Sequence, residues 1–559
     1  MTAPTLEYDV FIAGSGPVGA TYARLVADHH KTARILMVEV GAQESATIGS
    51  NLKNAIKYQK DLDSFRHVIR SASQQVSLPP VGGYLPGLQG DAWMQPESRS
   101  SINSPYNPDQ NPATNLYSGG WVTRAVGGAS THWTCACPEP HDEELVLCPI
   151  ERPVMRDLLQ RGKKLLNVHE DQFENSVRHQ LVKKALSDSF GPGGRVVKSL
   201  PLAGERSKEN GEYIAWSAAD TVLGDTVTAK DESGKNRFTL LAETLVIKFI
   251  TEEHKVIGAL VKDLRSGKER IVKAKVYVAA CGVICTPQLL WNSNIRHKAL
   301  GCYLTGQSHT FCQIVLRRTL IETLRISNLS SNADSANTLP IPLNDPDPQV
   351  TIPYSTEYPY HTQIHCDAFS YGDIGPEIDH RVVVDIRFFA REDIQESNRI
   401  TFSNTDRDGR PNTDLYGMPQ ATFHYERSRD DEQRAQKMMK DMCDVSSILG
   451  SYLPTALPHP KGFMRRYDFR LEQLYFILKV TKGPTRIGKD SHTSVANESS
   501  RVRVDENTLF DNLWVGGCSV IPDSTACNPT LTAVAYAIKG ADDMTQVLGE
   551  AGFLNGLAA

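Results

Sequence analysis

Residues 125–138 read AVGGASTHWTCACP: two glycines, a small-residue step, then Ser130, Thr131, His132 and Trp133 in succession. An imidazole can serve as a proton carrier, a metal ligand or a buried hydrogen-bonding group. Taken alone, a histidine beside a tryptophan reads as a packed core residue. A second cluster, HTQIHCDAFSYG at 361–372, is denser in chemistry. In a strand His361, Gln363, His365 and Asp367 share one face, because side chains alternate with period two. His361 and His365 then stand about 13 Å apart at ~3.3 Å per residue, too far to chelate one metal. No CxxC, HxxH or HExxH spacing replaces them, so no metal ligand is assigned. The same row of side chains suits either an ordinary polar sheet face or the wall of a ligand site.

The elements that must position these residues begin at the N-terminus. YDVFIAGSGPVGATYARLVADHH reads as an apolar strand, a turn with Gly14, Gly16 and Gly19, and a helix. ARILMVEVGA follows as a second strand with Glu39, 20 residues after Gly19. Strand, glycine turn, helix, strand and acid at this distance make a specific dinucleotide-binding pattern. The glycines let the backbone approach a pyrophosphate at the helix N-terminus, and Glu39 accepts from ribose hydroxyls. Far downstream, NLWVGGCSVIPDSTACNPTLTAVAYAIKGADDM repeats the order strand, glycine turn, helix. A nucleotide-fold element at each end of the chain implies a dinucleotide domain that is discontinuous in sequence.

Between these ends, residues 72–115 are rich in Pro, Gly, Ser and Asn and read as long surface loops, a lid or an interface arm. Residues 151–190 read as helical, 237–280 as short strands followed by a helical CTPQLLWNSN, and 310–425 as strands alternating with loops. An amphipathic helix is expected at about 428–449.

With 559 residues, 40% hydrophobic and 22% charged, the composition is that of an ordinary globular protein. A net charge of −5 without a Lys/Arg block gives a nucleic-acid or anionic-membrane partner no electrostatic support. No run approaches the roughly 18 apolar residues that span a bilayer, and the N-terminus has no basic, cleavable leader. Eleven scattered cysteines form no disulfide framework. These features lead us to expect a cytoplasmic, reducing location.

Three stretches, DVFIAGSGPVGA, VGGASTHWTCACP and GGCSVIPDSTACNPTLTA, together resemble the glucose–methanol–choline (GMC) flavin oxidoreductases. Within that family the pyranose-oxidase branch is most similar, through QIHCDAFSYG, DIRFFAR, HTFCQIVL and DPDPQVTI in colinear order. The resemblance implies an α/β fold: a discontinuous Rossmann-like FAD-binding domain plus an α+β substrate domain with a large mixed or antiparallel sheet. Its implied boundaries are 1–150, 196–300 and 481–559 for FAD binding, with 151–195 and 301–480 for the substrate domain. It also implies FAD held by Gly14, Gly16, Gly19, Glu39, Thr134, Gly517, Asn528 and Thr530, and attached covalently through His132. Gln363, Asp367 and Arg387 would border a sugar, Phe369 and Tyr371 would lie in a loop gating it, and Asn528 would be catalytic. The implied reaction oxidises a secondary ring hydroxyl of glucose or a related pyranose, at carbon 2 or 3, with oxygen or a quinone-like acceptor. The implied assembly is a homotetramer.

One departure stands out. The family histidine that takes the hydroxyl proton falls, by position before the PTRIG turn, on Val480. A positioned base contributes about 10²–10⁴-fold in rate, so a replacement is needed for full turnover. Lys479, Lys482 and His365 are the candidates, a desolvated lysine having a lowered pKa. An altered catalytic edge also fits oxidation at carbon 3, whose ketone acidifies both neighbouring carbons and from glucose leads to kojic acid. A GMC alcohol oxidase for a non-sugar alcohol, or a flavin-binding protein without normal turnover, is the alternative.

Overall fold

A computed structural model describes residues 6–55, 73–75, 107, 109–111, 114, 121–209, 213–326, 339–365, 379–414, 416–452 and 481–550. Its leading elements are β1 (Leu6–Ala13), α1 (Pro17–His29), β2 (Ile35–Val38), α2 (Arg152–Leu165) and α3 (Val177–Phe190). Next come β3 (Phe238–Leu241), β4 (Thr244–Glu252), β5 (Lys255–Asp263), β6 (Glu269–Ala279) and α4 (Gly282–Asn292). The chain continues through β7 (Gln307–Leu316), β8 (Tyr360–Ile364), β9 (Val383–Arg391) and α5 (Arg429–Leu449). It closes with β10 (Leu509–Val515) and α6 (Thr530–Gly549).

The first sheet has a parallel core in the order β3-β2-β1-β6-β10. Val10, Phe11, Ile12 and Ala13 of β1 are fully buried, as expected for a parallel strand covered on both faces. Strand order reverses between β1 and β6, the switch point where this class of sheet opens a crevice. Its strands come from residues 6–38, 238–279 and 501–515, so both ends of the chain meet in one sheet. On one side α6 lies against α1, so closely that a Cβ on Gly540 would collide with the Tyr22 hydroxyl.

The second sheet is antiparallel and six-stranded, with β9 between β7 and β8. Its alternation separates two faces. Ile314, Leu316, Val384, Ile386, Phe388 and Ile364 form an apolar core with Met438, Met442 and Val445 of α5 and Leu181 and Leu186 of α3. The opposite face carries Gln307, His309, Gln313, Asp385, Arg387, His361 and Gln363, all buried. A polar face inside a protein needs hydrogen-bonding partners, and supplying them determines how the two sheets meet.

The helix expected at 428–449 begins one residue later, because Ser428 acts as its cap: the Ser428 hydroxyl accepts from the Asp431 amide at 3.0 Å. Most of the 72–115 region lies outside the described residues; within it, 73–75 pair antiparallel with 121–123. Among the described residues no helix is long and apolar enough to cross a membrane. Nor do they hold a group of three His, Cys, Asp or Glu side chains placed to bind a metal ion.

Candidate active site

The glycine turn sits at the end of β1. Gly14 has φ of 100°, a left-handed value, and a Cβ there would strike the Ala280 carbonyl beyond β6. A Cβ on Gly19 would strike the Gly14 carbonyl, so α1 packs directly on the turn. Gly16 is the N-cap of α1 and has no side-chain cap, and the first turn carries no acid. The first-turn amides of α1 therefore face outward for an external acceptor.

Glu39, at the end of β2, is buried and ties this turn together. Its carboxylate accepts from the Ser15 amide (3.1 Å), the Ser15 hydroxyl (2.8 Å) and the Gly41 amide (3.0 Å). Burial raises its pKa, and these three donors act in the opposite direction. The Ser15 hydroxyl in turn accepts from the Gly127 amide at 2.9 Å, which fastens the glycine turn to the loop bearing His132.

That loop turns through Gly127 and Gly128, both at positive φ, into a short 3-10 turn over Gly128–Thr131. His132 follows, 8% exposed. The Thr131 hydroxyl donates to the Gly128 carbonyl at 2.9 Å, and its oxygen lies 3.1 Å from His132 Nδ1. With its single proton committed to Gly128, that hydroxyl accepts from Nδ1–H. This arrangement favours the Nδ1–H tautomer, in which the lone pair is on Nε2. Thr134, two residues on, is half-buried.

The C-terminal segment between β10 and α6 meets the polar face of the second sheet. Gln307 Nε2 donates to the carbonyls of Thr525 and Cys527, each at 2.7 Å. Gln363 Nε2 donates to Asn528 Oδ1 and lies 3.1 Å from His361 Nε2. Gln363 Oε1, fully buried, has no hydrogen-bond partner among the described residues. Burial, reinforced by His365, pushes the His361 pKa down to about 3, so its imidazole is neutral and accepts from the amide. Arg387 pairs with Gln363 across the β8–β9 ladder and is buried. Gly517, with φ of 109°, starts the turn after β10. Thr530 opens α6, which has no side-chain cap and no acid in its first turn.

Two family models match: the GMC oxidoreductase N-terminal part over residues 211–309 and the C-terminal part over 395–537. A pyranose 2-oxidase of Tricholoma matsutake is 45% identical over 557 residues, covering 97% of this chain and 94% of that protein. The chain belongs to the GMC oxidoreductase family. It is an FAD-dependent oxidoreductase acting on CH–OH groups. A C-glycoside 3-oxidase of Microbacterium trichothecenolyticum is 32% identical, with 96% of each chain covered. A formate oxidase structure from Aspergillus oryzae shares the fold at TM-score 0.62 and 13% identity, covering 98% of this chain and 99% of that one. A pyridoxine 4-oxidase from Mesorbium loti does so at TM-score 0.60 and 15% identity, with 96% and 99% covered.

For a GMC oxidoreductase the residues present suit the cofactor. The cradle at Gly14 and Gly19 leaves no room for side chains, and Gly128 approaches Gly16 so closely that its Cβ would lie 3.3 Å from the Gly16 Cα. Near the start of α6 the buried hydroxyls of Ser519 and Thr532 have no hydrogen-bond partner among the described residues, polar atoms suited to a polar ligand. Asp367, Phe369 and Tyr371 lie outside the described residues, as do Lys479 and Val480. Lys482 is described and fully buried, its Nζ donating to the Thr525 carbonyl (2.8 Å) and hydroxyl (3.0 Å). It meets the site as a donor. Sequence reasoning missed Ser15, Glu144 and Gln307, whose partners are 24 to several hundred residues away and leave no local spacing to read.

Proposed function

We propose that this enzyme oxidises a secondary ring hydroxyl of glucose or a related pyranose to the ketosugar, passing the electrons to oxygen or a quinone-like acceptor. The carrying observation is the buried polar sheet face joined to Asn528 through Gln363, with an unpartnered amide oxygen beside it. A polyol needs several placed donors and acceptors, and a wall of Gln, His, Arg and Asp supplies them. The named relatives act on pyranoses at carbon 2 or on C-glycosides at carbon 3, which supports the sugar class and leaves both carbons in view.

FAD, when bound, supplies the hydride acceptor. The turn at Gly14, Gly16 and Gly19 would hold its pyrophosphate, and Glu39 its ribose. Thr134, Gly517 and Thr530 would line the flavin end. His132 would attach it covalently, Nε2 carrying the lone pair that a carbon–nitrogen bond requires. Asn528 would hold the reacting hydroxyl, Gln363 would accept from a neighbouring one, and Arg387 would donate to the sugar. Asp367 would add a further contact, with Phe369 and Tyr371 gating the site. His361, its pKa pushed down to about 3 and its Nε2 accepting from the Gln363 amide, would orient that amide toward Asn528 and not take the hydroxyl proton.

Anaerobic addition of glucose tests the reading. Bleaching of the yellow flavin band is the expected result, and indifference to every monosaccharide offered defeats it. NMR of the product then assigns the carbon. A 3-ketosugar would support a biosynthetic route in which two eliminations of water give kojic acid, and 2-keto-glucose alone would exclude it.

A further inference from the structure

The segment preceding Asn528 is tethered at five consecutive residues. Asp523 accepts from the Leu147 amide at 2.6 Å, and the Ser524 hydroxyl accepts from the Glu392 amide at 3.0 Å. Thr525 is held by Lys482 and Gln307, the Ala526 amide donates to Glu144 at 2.5 Å, and the Cys527 carbonyl accepts from Gln307. Among these tethers Lys482 is the only cation. Its Nζ reaches both the carbonyl and the hydroxyl of Thr525, and that hydroxyl is hydrogen-bonded onward to the Cys527 thiol.

We propose that Lys482 is a positioning residue, whose buried side chain fixes the Asp523–Cys527 segment so that Asn528 meets Gln363 and the substrate in reactive geometry. The proposal rests on the role given to Asn528 above. An aliphatic chain of the same length would fill the space without desolvating a charge, so the gain from lysine lies in its two directed hydrogen bonds. Burial lowers the Lys482 pKa, and Cys527, Glu144, Cys518 and Asp523 act in the opposite direction. Glu144 and Asp523 are themselves the acceptors for the Ala526 and Leu147 amides. Cation and tethers therefore form one unit. A catalytic group displaced by about 1 Å loses on the order of 10²-fold in rate, which sets the scale of the effect.

The test is a double-mutant cycle on the holoenzyme, read as the rate of anaerobic flavin reduction by sugar. Lys482→Met should slow reduction about 10- to 100-fold. The sugar concentration giving half-maximal reduction should change less than about twofold, because the sheet-face donors stay in place. Lys482→Gln, which keeps one donor, should recover part of the loss. In an Asn528→Ala background, Lys482→Met should cost nothing more, since two residues acting as one unit are not additive.

Losses that multiply in the double variant overturn the proposal, as does a Lys482→Met enzyme at the wild-type rate. If Asn528→Ala is itself unimpaired, the role of Asn528 fails and the proposal fails with it. An impaired Asn528→Ala with multiplying losses removes the proposal alone. Should Lys482→Met not fold, the same cycle run with Lys482→Gln decides by the same criteria.

Discussion

At the scale of single residues, His132 is where sequence and geometry give different kinds of information. The run STHW marked an imidazole of interest, but only the Thr131 bond to the Gly128 carbonyl favours one ring tautomer, with the lone pair on Nε2. A covalent tether through Nε2 predicts that denatured, precipitated enzyme stays yellow. His132→Ala should bind FAD through the glycine cradle yet release essentially all of it into the supernatant on denaturation. A colourless wild-type precipitate would refute the tether. Gln363 makes a second prediction. Its Nε2 bonds Asn528 and contacts His361, and its orphaned Oε1 awaits a donor. Gln363→Leu preserves bulk but leaves Asn528 Oδ1 without this donor and denies the sugar an acceptor. An unsatisfied partner costs about 1–3 kcal/mol, so kcat/KM for sugar should fall roughly 5- to 150-fold. Unchanged kinetics would remove Gln363 from the site.

At the scale of elements, the sequence was legible wherever local pattern and burial agree. The strand–glycine–helix–strand start, the helix capped by Ser428 and the terminal strand, turn and helix each carry their own punctuation, and each appears where its residues place it. The polar face of the second sheet was legible only as alternation in HTQIH. What it faces was not, because Gln363 and Asn528 are 165 residues apart and Gln307 reaches Cys527 across 220. Hydrogen bonds across such separations follow from how two sheets dock, and no spacing rule records them. The glycine turn gives the prediction at this scale. A Cβ on Gly19 would collide with the Gly14 backbone, which cannot yield as a flexible side chain could. Gly19→Ala should destabilise the enzyme by about 1–3 kcal/mol through overpacking. It should also lower the FAD content of purified protein, measured as the ratio of visible to ultraviolet absorbance. Full FAD occupancy and an unchanged melting temperature would show that the turn tolerates a methyl group.

At the scale of the whole molecule, a buried acid in the Asp523–Cys527 segment ties stability to pH. Asp523 is 1% exposed; burial is the main cause that pushes its carboxyl up to about 6, while the Leu147 amide, Arg152 and Lys482 pull the other way. Its Oδ2 has no hydrogen-bond donor among the described residues to stabilise an anion, and burial favours the neutral acid. In the unfolded chain the same group titrates near its ordinary value of 3.8. Between those values the folded state holds more protons than the unfolded one, so stability declines as pH rises through this window. The contribution is complete below about pH 4 and gone above about pH 6, a swing of roughly 3 kcal/mol if the full shift applies. Asp523→Asn keeps an acceptor for the Leu147 amide and cannot ionise. Its melting temperature should therefore gain on wild type from about pH 4 to about pH 6 and hold that gain above it. The paired comparison matters because His361, whose depressed pKa makes the folded state lose stability as pH falls, runs oppositely in the same range. That term is common to both proteins and cancels. A difference between the two melting curves that stays flat with pH would mean Asp523 is ionised in the folded enzyme throughout, its charge fully compensated by the Leu147 amide, Arg152 and Lys482.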